Sequence, residues 1–112
     1  MSNKCSVAPQ WVYSEVDVAD NSTTVFSGPC LLRAAWVTTA LSAHAVPILD
    51  GGASGTNIGT FAASAAILDK IEFYDMRVET DLFVDPNDSG TGKIIFLYAP
   101  NHDGLAGSGY SV

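Results

Sequence analysis

Hydrophobic and polar residues alternate along the stretch 76–84, where every second residue from Met76 to Val84 is apolar or a threonine. Three of the four residues between them are charged. A period of two that is rich in β-branched residues is typical of a strand with one face in a core. A run of turn-forming residues at 85–92 leads into the apolar segment 94–98. We therefore expect a long-looped β-hairpin around which the rest of the domain packs.

Six further segments have strand character, namely residues 10–18, 23–26, 31–39, 43–50, 58–62 and 69–74. Segment 31–39 has some helix propensity, but its Trp-Val-Thr-Thr end and the preceding Gly-Pro favour a strand. Trp36 is expected to be a core anchor on it. Pro47 lacks a backbone donor, which predicts an edge strand or a bulge there. The alanine-rich run 62–66 is too short for a stable helix and is interpreted as a connection.

About eight short strands, separated by Gly, Pro and Asn, are typical of an all-β sandwich or barrel. Connections of this kind suit a jelly roll, so the predicted fold is a jelly-roll-like antiparallel β-sandwich. We expect one domain over residues 1–112, with its core at about 10–99. Residues 1–9 form an N-terminal arm in this interpretation, and residues 100–112 form a Gly/Ser-rich tail.

The charge of the chain limits its partners. The 112 residues include 12 acidic and five basic ones, for a net charge of −7. Nucleic acid is an unsuitable partner because phosphate binding needs clustered Lys and Arg. No run approaches the length of a membrane span, and the N-terminus has no apolar signal core. Cys5 and Cys30 are expected to be free thiols, with a bridge between them as the alternative.

No catalytic constellation is found, so we expect no enzyme activity, cofactor or metal. The loop 85–90 resembles the first half of a calcium loop, but Phe96 stands where the chelating acid is needed. His44 is interpreted as a packed imidazole on a strand face with Val46 and Ile48. His102 and Asp103 lie in the tail, where nothing holds an acid–base geometry. The glycines of 51–55 lack the Lys and the strand-to-helix context of a nucleotide loop.

The most informative feature is the hydrophobic character of segment 94–99. In segment 94–99, Ile94, Phe96 and Tyr98 face one way, while Ile95, Leu97 and Ala99 face the other. A sheet with one wet face needs only one of these sets, so the second must be covered by the chain's own arms or by another copy. Aromatic residues also fall on otherwise polar faces. The predicted subunit-interface residues are Trp11, Tyr13, Phe83, Ile95 and Leu97.

The sequence LLRAAWVTTALSAHAVPILDGG, followed by FYDMRVETDLFVDPNDSGTGKIIFLY, resembles small virion proteins of tailed bacteriophages. Such proteins often pair a strand ending in Thr-Ala-Leu-Ser-Ala-His, here 39–44, with a later one of the form Arg-Val-Glu-Thr-Asp-Leu-Phe-Val-Asp, here 77–85. The likeness covers roughly residues 25–99 and neither tail. It implies a jelly-roll-like sandwich that assembles on the virion, commonly as a trimer.

The resemblance favours a capsid decoration or cement protein that binds the outside of the head as a homo-oligomer. Its partners would be further copies and the major capsid protein or another virion protein. Such a protein is made in the host cytoplasm and resides in the virion. Two alternatives stay open, a tail, neck or fibre component and a carbohydrate- or calcium-binding β-sandwich module. A ligand at loop 85–90, or over Trp11 and Tyr13, would mark the latter.

Overall fold

A computed structural model describes residues 9–20, 22–86 and 89–100 of the chain. Eight strands form in this part, and none of the described residues is in an α-helix. The strands are β1 (Val12–Asp17), β2 (Thr23–Ser27), β3 (Cys30–Thr39), β4 (Val46–Asp50), β5 (Thr56–Phe61), β6 (Lys70–Val78), β7 (Asp81–Val84) and β8 (Lys93–Pro100). Two single turns of 3-10 helix, Val18–Asp20 and Gly52–Ser54, complete the elements.

The strands make two four-stranded antiparallel sheets that form a sandwich. Sheet 1 has the order β1-β8-β3-β6, and sheet 2 has the order β2-β7-β4-β5. The chain changes sheet at every connection except the one between β4 and β5. The prediction of an all-β sandwich with about eight short strands is therefore confirmed.

The core lies between the two sheets, where both contribute fully buried aliphatic side chains. Phe96 on β8 is the largest side chain with no solvent exposure, and Leu32, Ile48 and Leu82 lie with it in the same cluster. A close-packed apolar layer of this kind is a main source of stability in a small domain.

The predicted hairpin between segments 76–84 and 94–98 is wrong. Segment 76–84 is two strands, β6 in sheet 1 and β7 in sheet 2, and β8 pairs with β1 and β3 instead of β7. The chain turns between the sheets at Glu79 and Thr80, whose backbone N–H groups donate to the Asp50 carboxylate at 2.8 and 2.9 Å. The alternation continues through this corner because both strands point their apolar residues into one core.

Trp36 is not the predicted core anchor. The ladders of β3 with β6 and with β8 both shift between Leu32 and Ala34, so Arg33 occupies a bulge. One extra residue reverses the side-chain parity after it. Leu32 and Ala35 therefore point into the core, while Trp36 is half-buried on the opposite face of sheet 1.

Strand β4 also departs from its predicted extent. It begins at Val46, so His44 precedes the strand and does not share its face. Pro47 lies inside sheet 2 and not at an edge, although the ladder with β5 shifts one residue later, between Ile48 and Leu49. The predicted arm and tail lie outside the described residues, except for Pro9 and Pro100.

Candidate functional site: the outer face of sheet 1

The face of sheet 1 that points away from sheet 2, here called the outer face, is apolar at its centre. Strand β8 divides as its sequence predicts, with Ile94, Phe96 and Tyr98 in the core cluster. The intervening residues lie on the outer face beside those of β3. This apolar centre consists of Leu31, Ala34, Trp36, Ile95, Leu97 and Ala99.

Three side chains cross one end of this face, from the residue before β1 to β6. The Arg33 guanidinium lies 3.9 Å from the centroid of the Trp11 ring. The same guanidinium donates to both carboxylate oxygens of Asp75, at 2.8 and 3.1 Å. Ala99 and Leu31, which face outward in this region, are buried. We attribute their burial to this Trp11–Arg33–Asp75 group, since long side chains cover apolar surface with their stems.

The ion pair at the centre of this group affects both pKa values. The hydrogen bonds from Arg33 lower the pKa of Asp75, and the same contact raises the pKa of Arg33. Both side chains are more than a third exposed, so the pair adds little to stability. Its geometric role is larger, because a bidentate pair fixes the orientation of both partners.

Polar contacts also flank the other end of the outer face. Thr38 on β3 donates a hydrogen bond to Glu15 on β1 at 3.0 Å, although β8 lies between those strands. On β6, Lys70 contacts Glu72 at 3.4 Å. The apolar centre thus has a polar rim, which is the anatomy of a protein–protein interface.

Four of the five predicted interface residues come together on this surface. Ile95 and Leu97 lie at its centre, Tyr13 pairs with Leu97 at the β1 side, and Trp11 belongs to the crossing group. Tyr13 is 70 % exposed, whereas Trp11, Ile95 and Leu97 are half-buried. Their contact with another subunit stays a prediction.

Phe83 lies elsewhere. It is on β7 in sheet 2, paired with Leu49, and both residues are outside the cluster between the sheets. Phe83 is only 9 % exposed, which leaves little surface for a partner. The structure therefore separates it from the other four residues by the whole thickness of the sandwich.

Sequence reasoning missed Trp36 and Tyr74 as surface residues. The bulge at Arg33 places Trp36 beside Ile95 on the outer face. Tyr74 and its neighbour Asp75 have φ values of 56° and 58°, and Tyr74 is 84 % exposed. Left-handed backbone at two successive non-glycine residues interrupts the alternation of side chains from which strand faces are predicted. The Tyr-Asp pair at 74–75 was the only local signal, since Asp tolerates this conformation better than most residues.

The other candidate groups are not clustered in the described part of the chain. No three His, Cys, Asp or Glu side chains there are grouped as a metal site requires, and no pocket is found on its surface. Asp85, in the calcium-like loop, accepts a hydrogen bond from the Ser22 hydroxyl at 2.9 Å. Residues 87 and 88 of that loop, with Cys5, His102 and Asp103, are outside the described residues.

Cys30 is a free, fully buried thiol in the core. Burial, with a smaller contribution from the negative charge of Asp50, raises the pKa of Cys30 to about 12. A protonated, enclosed thiol is a poor nucleophile. This residue therefore has a packing role.

Comparisons with known proteins add no relative: no protein-family model matches the chain, and no curated protein or solved structure is significantly similar to it. Within the described residues, no helix is long and apolar enough to cross a membrane.

Proposed function

We propose that this protein is a structural component of a tailed-phage virion, a decoration or cement protein without enzyme activity. It binds the outside of the head as a homo-oligomer, with a trimer favoured. Its partners are further copies of the chain and the major capsid protein. It is made in the host cytoplasm and resides in the assembled virion, where its negative charge is separated from the DNA by the shell.

The observation that carries this proposal is the apolar centre of the outer face. Trp36, Ile95 and Leu97 keep part of their surface in water, and Tyr13 keeps most of it. A large apolar side chain left exposed forgoes about 1.5–3 kcal/mol of burial. Contiguous apolar surface with a polar rim is typical of a protein contact.

The strand order supports a second part of the proposal, that the sandwich is a jelly roll. Strand β1 lies beside β8, β2 beside β7, β3 beside β6 and β4 beside β5. A chain folded on itself as one long antiparallel ribbon, with β4 and β5 at its closed end, produces these four pairs when it is wound into two sheets. Jelly rolls of eight strands build viral capsid domains, and also lectins and cupins.

The experiment that tests the function is imaging of labelled protein on intact phage particles. Label distributed over the head is the expected result. Label at the neck, tail or fibres would replace the head assignment with another virion role. Protein that binds no part of the particle, but binds an immobilised glycan or calcium, would overturn the proposal in favour of a ligand-binding module.

A further inference from the structure

Among the described residues, the large apolar side chains that are exposed lie at the two margins of sheet 1. Five large apolar residues are exposed in the described part of the chain. Val12 and Tyr13 are on the edge strand β1, which we call the β1 margin. The other three are Tyr74 on the edge strand β6 and Ile67 and Leu68 in the segment leading into it, together the β6 margin. Neither edge strand of sheet 2 carries an exposed large apolar residue.

The two margins differ in charge. The β1 margin carries Glu15 and Asp17 and no cation. Strand β6 carries Lys70 and Arg77, while its two acidic residues are each in contact with a cation. Of the four cations in the described residues, three lie on β3 or β6. With Asp69 in the segment leading into β6, the acids and cations of the β6 margin are close to balance. The β1 margin has two acids, and the nearest cation to them along the ladder is Lys93 of β8, opposite Asp17.

The backbone of the two margins differs as well. All six residues of β1 pair with β8 without a register shift. On β6, the left-handed residues Tyr74 and Asp75 lie where the ladder with β3 is irregular, and Leu68 also has a positive φ of 73°. A bulged edge resists the addition of another strand. The surface that the β6 margin offers to a partner therefore consists of side chains such as Tyr74 and Leu68.

We propose that the β1 margin of one copy binds the β6 margin of the next, so that copies associate head to tail in a closed ring. This inference rests on the self-association in the proposed function and not on its place in the virion. Because β6 runs opposite to β1 within sheet 1, copies related by an axis along the strands continue the antiparallel alternation. A head-to-tail contact of this kind closes into a ring when its rotation permits.

The cross-strand rows identify the residues that meet. One row contains Glu15, Ile95, Trp36 and Lys70, in the order of the strands. Cyclic symmetry keeps every copy at the same height along the axis, so Lys70 of one copy faces Glu15 of the next. The adjacent row begins at Tyr13 and ends at Glu72, two residues from Tyr74. The exposed rings of Tyr13 and Tyr74 therefore come together beside this ion pair.

A symmetric contact between two β1 margins fits the charges less well. It would bring Glu15 and Asp17 of both copies together, and like charges at an interface oppose association. The acidic margin and the cation-bearing margin complement one another, which favours the head-to-tail contact with a second copy over the symmetric one.

Charge reversal in solution tests the ion pair. Sedimentation at low salt should show self-association of the wild-type protein at submillimolar concentration, weakened by added salt. Glu15→Lys and Lys70→Glu should each raise the dissociation constant by about tenfold, since attraction becomes repulsion. The Glu15→Lys/Lys70→Glu double variant should restore the wild-type dissociation constant. Glu79→Lys is the matched control for Glu15→Lys, because it makes the same change in net charge beyond the end of β6 and should not weaken association.

A mixing experiment tests the head-to-tail geometry. Tyr13→Asp and Tyr74→Asp remove one margin each, and both side chains are exposed, so the variants should fold and melt like the wild type. Each variant alone should be a monomer. An equimolar mixture should form a one-to-one dimer and no ring, because only one intact pair of margins is available.

The proposal is overturned if the wild-type protein is a monomer under these conditions, if the double variant does not recover, or if the mixture stays monomeric. These outcomes are separate from the virion assignment. A ring in solution that fails to bind phage heads would overturn the proposed function and leave this inference in place. If the protein binds phage heads but never self-associates, this inference is overturned and the assignment to the head is left in place.

Discussion

Trp36 and Phe96 show that the burial of an aromatic side chain in this domain depends on its position and not on its residue type. They lie on the neighbouring strands β3 and β8, but Phe96 has no solvent exposure in the core, whereas Trp36 lies half-buried on the outer face. Both are large aromatic residues in apolar segments. Their roles differ because Phe96 is enclosed by both sheets and Trp36 is covered on one side only.

We expect Phe96→Ala to lower the free energy of unfolding by about 3–5 kcal/mol, the usual cost of emptying a buried aromatic site. Trp36→Ala should cost only about 1 kcal/mol, in the range of partly exposed positions, because solvent can occupy the space. Urea denaturation of both variants measures the difference. Equal losses would show that Trp36 is enclosed as completely as Phe96.

The thiol of Cys30 provides a second test at this scale. Its pKa is raised from an ordinary value of 9.0 to about 12, mainly because burial disfavours the thiolate. The unfolded chain loses this proton at a lower pH than the folded protein. The effect of Cys30 on the free energy of unfolding is therefore constant below about pH 9. As the pH rises from there towards 12, ionisation of this thiol in the unfolded chain lowers the stability of the fold.

We expect native Cys30 to resist alkylation at neutral pH, as followed by mass spectrometry of the peptide that contains it, and to react fully in denaturant. Between pH 9 and 11, Cys30→Ala should lose less stability than the wild type, since the variant has no thiol at that site to ionise. The same decline with pH in both proteins would assign the alkaline effect to other groups.

At the scale of elements, the sequence predicts strands well and their partners poorly. Each of the eight strands in the described residues overlaps a segment with predicted strand character, although the single predicted strand 76–84 covers the end of β6 and all of β7. Hydrophobic alternation predicts correctly that β8 is apolar on both faces. It also predicts the single hairpin from 76–84 to 94–98, which is wrong. The alternation is the same whether Leu82 enters the core from one sheet or from the other, so periodicity carries no information on the corner at Glu79 and Thr80.

The residues of the outer face of sheet 1 were also predicted only in part. The two-sided character of β8 identifies Ile95 and Leu97 from sequence alone. The bulge at Arg33 is not visible there, because one extra residue changes parity without changing composition. Phe83 and Trp11 looked alike in sequence, as aromatic residues on polar faces. Only the fold shows that Phe83 lies in sheet 2, whereas Trp11 lies against Arg33 of sheet 1.

The corner between β6 and β7 depends on Asp50, which accepts hydrogen bonds from two successive backbone N–H groups. We expect Asp50→Ala to lower the free energy of unfolding by about 1–2 kcal/mol, as the loss of a comparable side-chain cap does. Asp50→Asn should retain part of this stability, since its amide oxygen can accept one of the bonds. The exposed Asp20 serves as a control, because Asp20→Ala makes the same change in charge. Equal denaturation midpoints for Asp50→Ala and Asp20→Ala would show that the corner forms without the carboxylate.

At the scale of the whole molecule, the two sheets have different outer faces. Sheet 1 has an apolar centre with a charged rim, and its margins carry every exposed large apolar residue of the described chain. On the outer side of sheet 2, the apolar pair Leu49 and Phe83 is buried and next to the exposed Thr24. This asymmetry supports the proposals that further copies bind at the margins of sheet 1 and that the shell binds at its centre.

The outer face of sheet 1 can be tested on the assembled particle. We expect Ile95→Asp and Leu97→Asp to reduce the occupancy of the protein on phage heads by at least about tenfold, because a carboxylate in a buried apolar contact costs more than one such factor in affinity. Thr24→Asp adds the same charge to the outer face of sheet 2 and should leave occupancy unchanged. Thermal melts of the three variants separate loss of binding from loss of folding. If folded Ile95→Asp and Leu97→Asp proteins both fill the head as the wild type does, neither side chain is at the contact, and the apolar centre of sheet 1 is not the surface that binds the shell.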